Sequence, residues 1–224
     1  QIRNVGTLGG NLCQDTRCWY YRQGLNCYRA GGNTCYANTP EGLNREHCVY
    51  GASRCVAVSP SDTATALVAL DAVMLVQSAT GRREIPAREF FVGPSQNIRG
   101  MTALDPAEVL VAVRLPGQWA GAKFYFEKVA DRNTWDFALV SVAAAVKESG
   151  NTVEDIRLVF GAVECVPRRL DVIEQRLKGN ELTEQLISEV AASASDGAVT
   201  LNYNHFKLPL MQNLLQRALH RVES

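Results

Sequence analysis

The sequence predicts an α+β fold, and three observations carry that prediction. Alternating or β-branched stretches suited to strands occupy the middle of the chain, helical apolar spacing gathers in its final third, and residues 12–58 show neither pattern. That unpatterned stretch holds six of the seven cysteines: Cys13, Cys18, Cys27, Cys35, Cys48 and Cys55. A loop of this length is uncommon in a domain unless it has a function. The 224 residues, with 46% apolar content, describe a globular chain of one or two domains. Acidic and basic residues balance at 23 each, which removes the electrostatic footprint of a nucleic-acid or anionic-membrane binder. No run of 18 apolar residues occurs, so no membrane span is expected.

Taken in order, residues 1–11 read as an extended approach ending in a turn at Gly9-Gly10-Asn11, with Ile2 and Val5 facing inward. Residues that lack a Cβ or tolerate positive φ leave backbone amides open to a ligand. Ser61-Asp62-Thr63-Ala64 starts a helix over 62–70, with Leu67 and Leu70 on its buried side and Asp62 as a candidate cap. Residues 73–76 read as a buried strand, Thr80-Gly81-Arg82-Arg83 as a hairpin turn, and 108–116 as a β-branched strand. Pro116 to Gly121 is the expected boundary between domains 1–117 and 118–224. Beyond it, 123–129 and 153–163 are strand-like and 137–146 is an apolar run. Helices are expected over 171–177, 183–194 and 205–222, with Thr183 and Asn204 as caps.

The cysteines have three readings: disulfides, structural zinc, or an iron–sulfur cluster. Disulfides suit small secreted domains, whereas a chain of this length buries roughly 70% of its unfolded surface without them. Zinc sites usually pair ligands as C-x2-C, and the spacings here are 5, 9, 8, 13 and 7. An inorganic core can organise a long, irregular loop around widely spaced thiolates, so a cluster fits best, although spacing leaves all three open. Trp19, Tyr20, Tyr21, Tyr28, Tyr36 and Tyr50 supply aromatic area that packs the loop and excludes water from such a centre. Asp136, His47, His205 and His220 form no constellation with a nucleophile, so no catalytic residue is assigned.

The opening Gln1-Ile2-Arg3-Asn4-Val5-Gly6-Thr7-Leu8-Gly9-Gly10-Asn11 resembles the second flavin-binding motif in the medium, FAD-binding subunit of the xanthine dehydrogenase family of molybdenum hydroxylases. In most of that family a Pro-x-Ser-Asp segment follows within a few residues; here Pro60-Ser61-Asp62 comes about forty residues later. The intervening stretch resembles the 4Fe-4S insertion of the aldehyde oxidoreductase and 4-hydroxybenzoyl-CoA reductase branch. The matching pieces are Thr16-Arg17-Cys18, Asn26-Cys27, Thr34-Cys35 and Arg54-Cys55, and the resemblance therefore implies Cys18, Cys27, Cys35 and Cys55 as cluster ligands. Cys13 and Cys48 are expected to be free thiols.

The resemblance extends to the closing helix and implies the second half of a PCMH-type FAD-binding domain, interrupted at 12–58, followed by a C-terminal domain like that of the CO dehydrogenase flavoprotein. It implies FAD contacts from Thr7, Gly9, Gly10, Asn11, Asp62, Leu110 on the third strand, and Lys128. The chemistry on substrate is expected at a molybdopterin in a large subunit, with a 2Fe-2S small subunit as relay and an external electron acceptor or donor at the flavin. The family's upstream Gly-rich half, which cradles the FAD pyrophosphate, is expected from another segment or a separate chain. Reduced thiols favour the cytoplasm, with the periplasm as the alternative for a protein exported after folding. The rival from a different class is a non-redox interaction domain with a structural zinc.

Overall fold

The structure is a computed structural model and describes residues 2–223. Two short helices open it, α1 (Ile2–Val5) and α2 (Leu8–Leu12), and the cysteine-rich stretch follows with α3 (Trp19–Arg22) and 3-10 turns at Tyr28–Ala30 and Tyr36–Asn38. The opening is therefore helical where an extended approach was expected. Val5 is 77% exposed instead of inward, and the side chain of Ile2 lies outside the described residues.

Helix α4 (Asp62–Ala69) then leads into β1 (Val73–Ser78), β2 (Gly81–Pro86), α5 (Ala87–Phe90) and β3 (Val109–Arg114). The three strands form an antiparallel sheet in the order β2-β1-β3. The second sheet, order β4-β5-β6-β7, is built from β4 (Lys123–Val129), β5 (Val140–Ser149), β6 (Thr152–Gly161) and the two-residue β7 (Arg168–Arg169). Helices α6 (Asp171–Leu177), α7 (Glu184–Ala192) and α8 (Lys207–Glu223) complete the chain.

Ser61 caps α4, its Oγ accepting the Ala64 amide at 3.1 Å. Asp62, expected as the cap, is the first helical residue. Leu67 is buried as expected; Leu70, just past the helix end, is half-buried. Thr183 caps α7 through the Leu186 amide at 3.3 Å. Asn204 does not cap α8 with its side chain. Its Nδ2 donates to the carbonyls of His47 and Cys48, each at 3.1 Å, and its Oδ1 accepts the Leu201 amide.

Helix α4 lies between the sheets. Its Ala64, Leu67 and Val68 join Met74 and Val76 of β1 and also Ala143 and Val159 of the second sheet in one apolar cluster. On the opposite face Val142, Ala144 and Val146 of β5 and Leu158 and Phe160 of β6 pack on Met211, Leu214, Leu215 and Leu219 of α8. Strand β5 is thus covered on both faces, which is why it reads as an apolar run instead of an alternation. The close approach of α4 needs a glycine: a Cβ at Gly161 would lie 2.4 Å from Thr65 Oγ1 and 2.3 Å from Ser141 Oγ. Polar contacts join the two halves as well, since the Asp71 carboxylate after α4 accepts from Arg157 Nε at 2.9 Å, Arg169 Nη1 at 3.1 Å and Gln118 Nε2 at 3.0 Å. Among the described residues no helix is long and apolar enough to cross a membrane.

The cysteine-rich stretch is held by what lies beneath it. The amides of Val49 and Tyr50 both donate to the Val163 carbonyl, at 2.9 and 3.1 Å. Lys207, fully buried at the start of α8, donates through Nζ to the carbonyls of Ala162 at 2.6 Å and Glu46 at 3.2 Å. Burial holds the Lys207 ammonium down to about 7. Between there and the ordinary lysine range of ~10 the unfolded chain carries a proton that the folded chain lacks, so this group's contribution to stability rises with pH across that window. Lys207→Met leaves both carbonyls without a donor and costs about 1–3 kcal/mol. Denaturant titrations are expected to show the wild type gaining on this variant as pH rises from about 7 to about 10; a gap that does not change with pH counts against a neutral buried lysine.

Candidate functional site

Thr7 caps α2: its Oγ1 accepts the Gly10 amide and its carbonyl accepts the Asn11 amide, both at 3.0 Å. Gly9-Gly10-Asn11 is accordingly helical, neither glycine has a positive φ, and the expected turn with open amides is corrected. The cap and the packing of α2 outweigh the poor helix propensity of glycine. Gly9 faces β3, where a Cβ on it would stand 3.8 Å from the Leu110 carbonyl oxygen. Leu110 is half-buried against the cluster around α4.

The side chain of Asn11 reaches across to the start of α4. Ser61 Oγ donates to Asn11 Oδ1 at 2.6 Å while it caps α4, so one hydroxyl ties the last turn of α2 to the start of α4. Asp62 Oδ2 accepts from Lys128 Nζ of β4 at 2.6 Å, and Lys128 also donates to the Asp136 carbonyl at 2.6 Å. The side chains of Lys128 and Asp62 are 27% and 35% exposed, so the pair is worth under about 1 kcal/mol. Thr7, Gly9, Gly10, Asn11, Leu110, Asp62 and Lys128 thus lie along one continuous strip from β3 through α2 and α4 to β4.

Cys18, Cys27, Cys35 and Cys55 line a single cavity with about 290 Å³ of space between atoms. Tyr20, Tyr21 and Tyr36 share its wall with Ala37, Val56 and Ala57. Tyr20 stacks on Trp19 at 4.0 Å and on Tyr36 at 6.3 Å, and its hydroxyl accepts the Leu43 amide, so the aromatics do pack the loop. Cys13 is exposed, Cys48 is buried beside Ala37 and Val56, and neither lines the cavity. All seven thiols are free, which removes the disulfide reading. Among the described residues no three histidine, cysteine or acidic side chains stand close enough to share a single ion.

Burial pushes the Cys18 thiol up to about 11 and the Cys48 thiol up to about 12. Cys55 goes the other way, below the ordinary thiol range, because the neighbouring Cys165 thiol, the Ala57 amide at 3.5 Å and the nearby Arg29 cation favour its thiolate. The spacing argument passed over Cys165, which is 2% exposed, because it lies far along the chain just after β6. Arg29 and His47 were also missed as members of this wall. His47 Nε2 is 3.2 Å from Cys18 Sγ, its Nδ1 is buried without a partner, and burial with the nearby Lys207 holds the ring down to about 4, so it is neutral near pH 7. Thr16, Cys18, His47 and Ala57 also border an adjoining cleft that extends to Ser61, Asp62 and the unpartnered Ser141 Oγ. One layer of side chains therefore separates the cysteine cavity from the Asp62 end of the strip.

A family model described as the FAD binding domain in molybdopterin dehydrogenase matches residues 1–118, and one described as the CO dehydrogenase flavoprotein C-terminal domain matches residues 125–222. The chain is 37% identical over 223 residues to the aldehyde oxidoreductase FAD-binding subunit PaoB of Escherichia coli K12, covering 98% of this chain and 66% of that protein. It is 35% identical over 135 residues to the glyceraldehyde dehydrogenase medium chain of Sulfolobus acidocaldarius, covering 60% of this chain and 46% of that one. The chain thus spans between about half and two thirds of these relatives. Among solved structures, the carbon monoxide dehydrogenase of Hydrogenophaga pseudoflava lacking the Mo-pyranopterin moiety of its molybdenum cofactor superposes with a TM-score of 0.61 at 27% identity, over 71% of this chain and 58% of that one. Quinoline 2-oxidoreductase from Pseudomonas putida 86 shares the fold with a TM-score of 0.62 at 24% identity, over 81% and 59% of the two chains. With one family model over its first half and the second over most of the remainder, the chain belongs to the family of FAD-binding domains in molybdopterin dehydrogenases.

Proposed function

We propose that this chain is the FAD and 4Fe-4S electron-transfer part of a multi-subunit molybdopterin-dependent oxidoreductase. The observation that carries the reading is the cavity on which Cys18, Cys27, Cys35 and Cys55 converge, one side-chain layer from Asp62. Four thiols facing a common space suit a multi-iron core, which can draw ligands from widely spaced positions of a loop. The match to PaoB over 98% of the chain takes in the cysteine-rich stretch, which supports placing it in the aldehyde oxidoreductase branch.

In this reading residues 1–117 form the later part of the FAD-binding domain and 118–224 the flavoprotein C-terminal domain. When bound, the flavin and the cluster supply two-electron and one-electron exchange. Asp62 offers a carboxylate to flavin hydroxyls, Lys128 brings a cation to the ring, and Thr7, Gly9, Gly10, Asn11 and Leu110 form the adjoining wall. The four cysteines hold the iron, and the packed tyrosines keep water from it. A molybdopterin-binding large subunit handles the substrate, an aldehyde, N-heterocycle or aryl-CoA; a 2Fe-2S small subunit relays electrons; another segment or chain completes the FAD site; and an external acceptor or donor exchanges electrons at the flavin.

Two experiments test the proposal on the full polypeptide in its native assembly, purified without air. Iron and labile-sulfide analysis is expected to give four irons, to show loss of the cluster in Cys18→Ser, Cys27→Ser, Cys35→Ser and Cys55→Ser, and to show its retention in Cys13→Ser and Cys48→Ser. One zinc with no visible absorbance would instead establish the structural-metal domain. Loss of iron on changing Cys48 but not Cys55 would reassign the ligands.

The second experiment separates cap from ligand. Ser61→Ala lowers stability by about 1 kcal/mol because it removes the helix cap, whereas Asp62→Ala costs less than that yet reduces flavin affinity at least about tenfold, ~1.4 kcal/mol. Thermal melts and flavin fluorescence read the two effects; an Asp62→Ala protein with unchanged flavin affinity removes Asp62 from the site.

A further inference from the structure

The wall of the cysteine cavity contains a cation that cysteine spacing did not point to. Arg29 sits in the 3-10 turn Tyr28–Ala30, directly after Cys27 and Tyr28, and its side chain is 1% exposed. One end of the guanidinium is anchored: Nη1 donates to Asp15 Oδ1 at 3.3 Å, to the Arg99 carbonyl at 3.1 Å and to the Gly100 carbonyl at 3.3 Å. The ring of Tyr21 lies 6.0 Å from Cζ. Nε and Nη2 are buried and have no acceptor. Cys55 lines the same cavity as the guanidinium.

Buried N–H groups are nearly always paired, and those of a dehydrated cation are the costliest to leave open. Anchoring this segment to Arg99 and Gly100 takes one nitrogen, so a purely structural role leaves the rest of the fork unexplained. Asp15 offers little compensation, since its side chain is 45% exposed and meets only Nη1. What the free side of the fork lacks is an anionic acceptor inside the cavity. An iron–sulfur centre held by four thiolates is such an acceptor: it carries net negative charge and sulfur lone pairs, and hydrogen bonds and nearby charge set its potential.

We propose that Arg29 is the countercharge of the iron–sulfur centre: its Nε and Nη2 groups donate to the cluster's sulfur atoms on the Cys55 side and raise its reduction potential. The inference rests on the cluster reading of the cavity. Reduction adds an electron to an already anionic group enclosed by Ala37, Val56 and Ala57. A fixed cation stabilises the more negative state more strongly than the less negative one, and low surrounding polarity enlarges the difference.

The test uses Arg29→Met and Arg29→Lys in the full polypeptide within its native assembly, purified without air. Iron and labile sulfide are counted, and the midpoint potential is taken from a redox titration followed by electron paramagnetic resonance. The Met variant is expected to retain iron with a more negative potential, and the Lys variant, which keeps the charge without the fork, to lie between it and the wild type. An unshifted Met variant with full iron overturns the proposal, as does a Lys variant shifted as far as Met. Should the Met variant fail to hold iron, the Lys variant decides: retained iron supports the countercharge and lost iron overturns it. Iron-free wild type sinks the cluster reading and this inference together, whereas an iron-replete wild type with an unshifted Met variant sinks only the role of Arg29.

Discussion

The architecture depends on the fastening of a long irregular loop to the end of a sheet and the start of a helix. Residues 12–58 have little regular structure of their own, so their backbone polar groups must find partners elsewhere. Val163 takes two amides, Asn204 two carbonyls and Lys207 one more, all from 46–50. The loop pays for its shape with a buried lysine. Because those fastenings fall between Cys35 and Cys55, the second half of the chain determines where thiols from the first half end up.

A second, smaller device aligns the other end of the site. The Ser61 hydroxyl joins the end of α2 to the start of α4, and the residue after it is paired with a strand of the other sheet. Any ligand touching Asp62 therefore meets a carboxylate whose position is set by α2, α4 and β4 together. The cleft that begins at Cys18 ends here, so the chain's two candidate centres share walls made of the same few residues.

Much of this was legible in sequence where a local rule decides the structure. The alternation of 123–129 is β4, the apolar spacing of 171–177 is α6, and Thr183 caps α7. Residues 7–12 were misread because two adjacent glycines argue against a helix, and only the Thr7 cap and the contact with β3 reverse that. Asn204 was misread because its side chain, suited to a cap, serves the loop instead. The four cysteines came from a resemblance, while Arg29, His47, Cys165 and Lys207 were silent. Their significance lies in contacts across long separations, such as the 70 residues between Arg29 and Arg99, which no local pattern records.

The two-sided burial of β5 has a consequence for how the chain finds its pairing. A strand with polar residues on one face resists sliding by one place, because a slip would turn that face into the core. Val142 to Val146 offers no such resistance, since valine and alanine are tolerated on either side. What remains is shape: opposite Ser141 stands Gly161, and only a residue without a side chain leaves room for Thr65 there. A single missing methyl group thus acts as the notch that sets the alignment of the sheet.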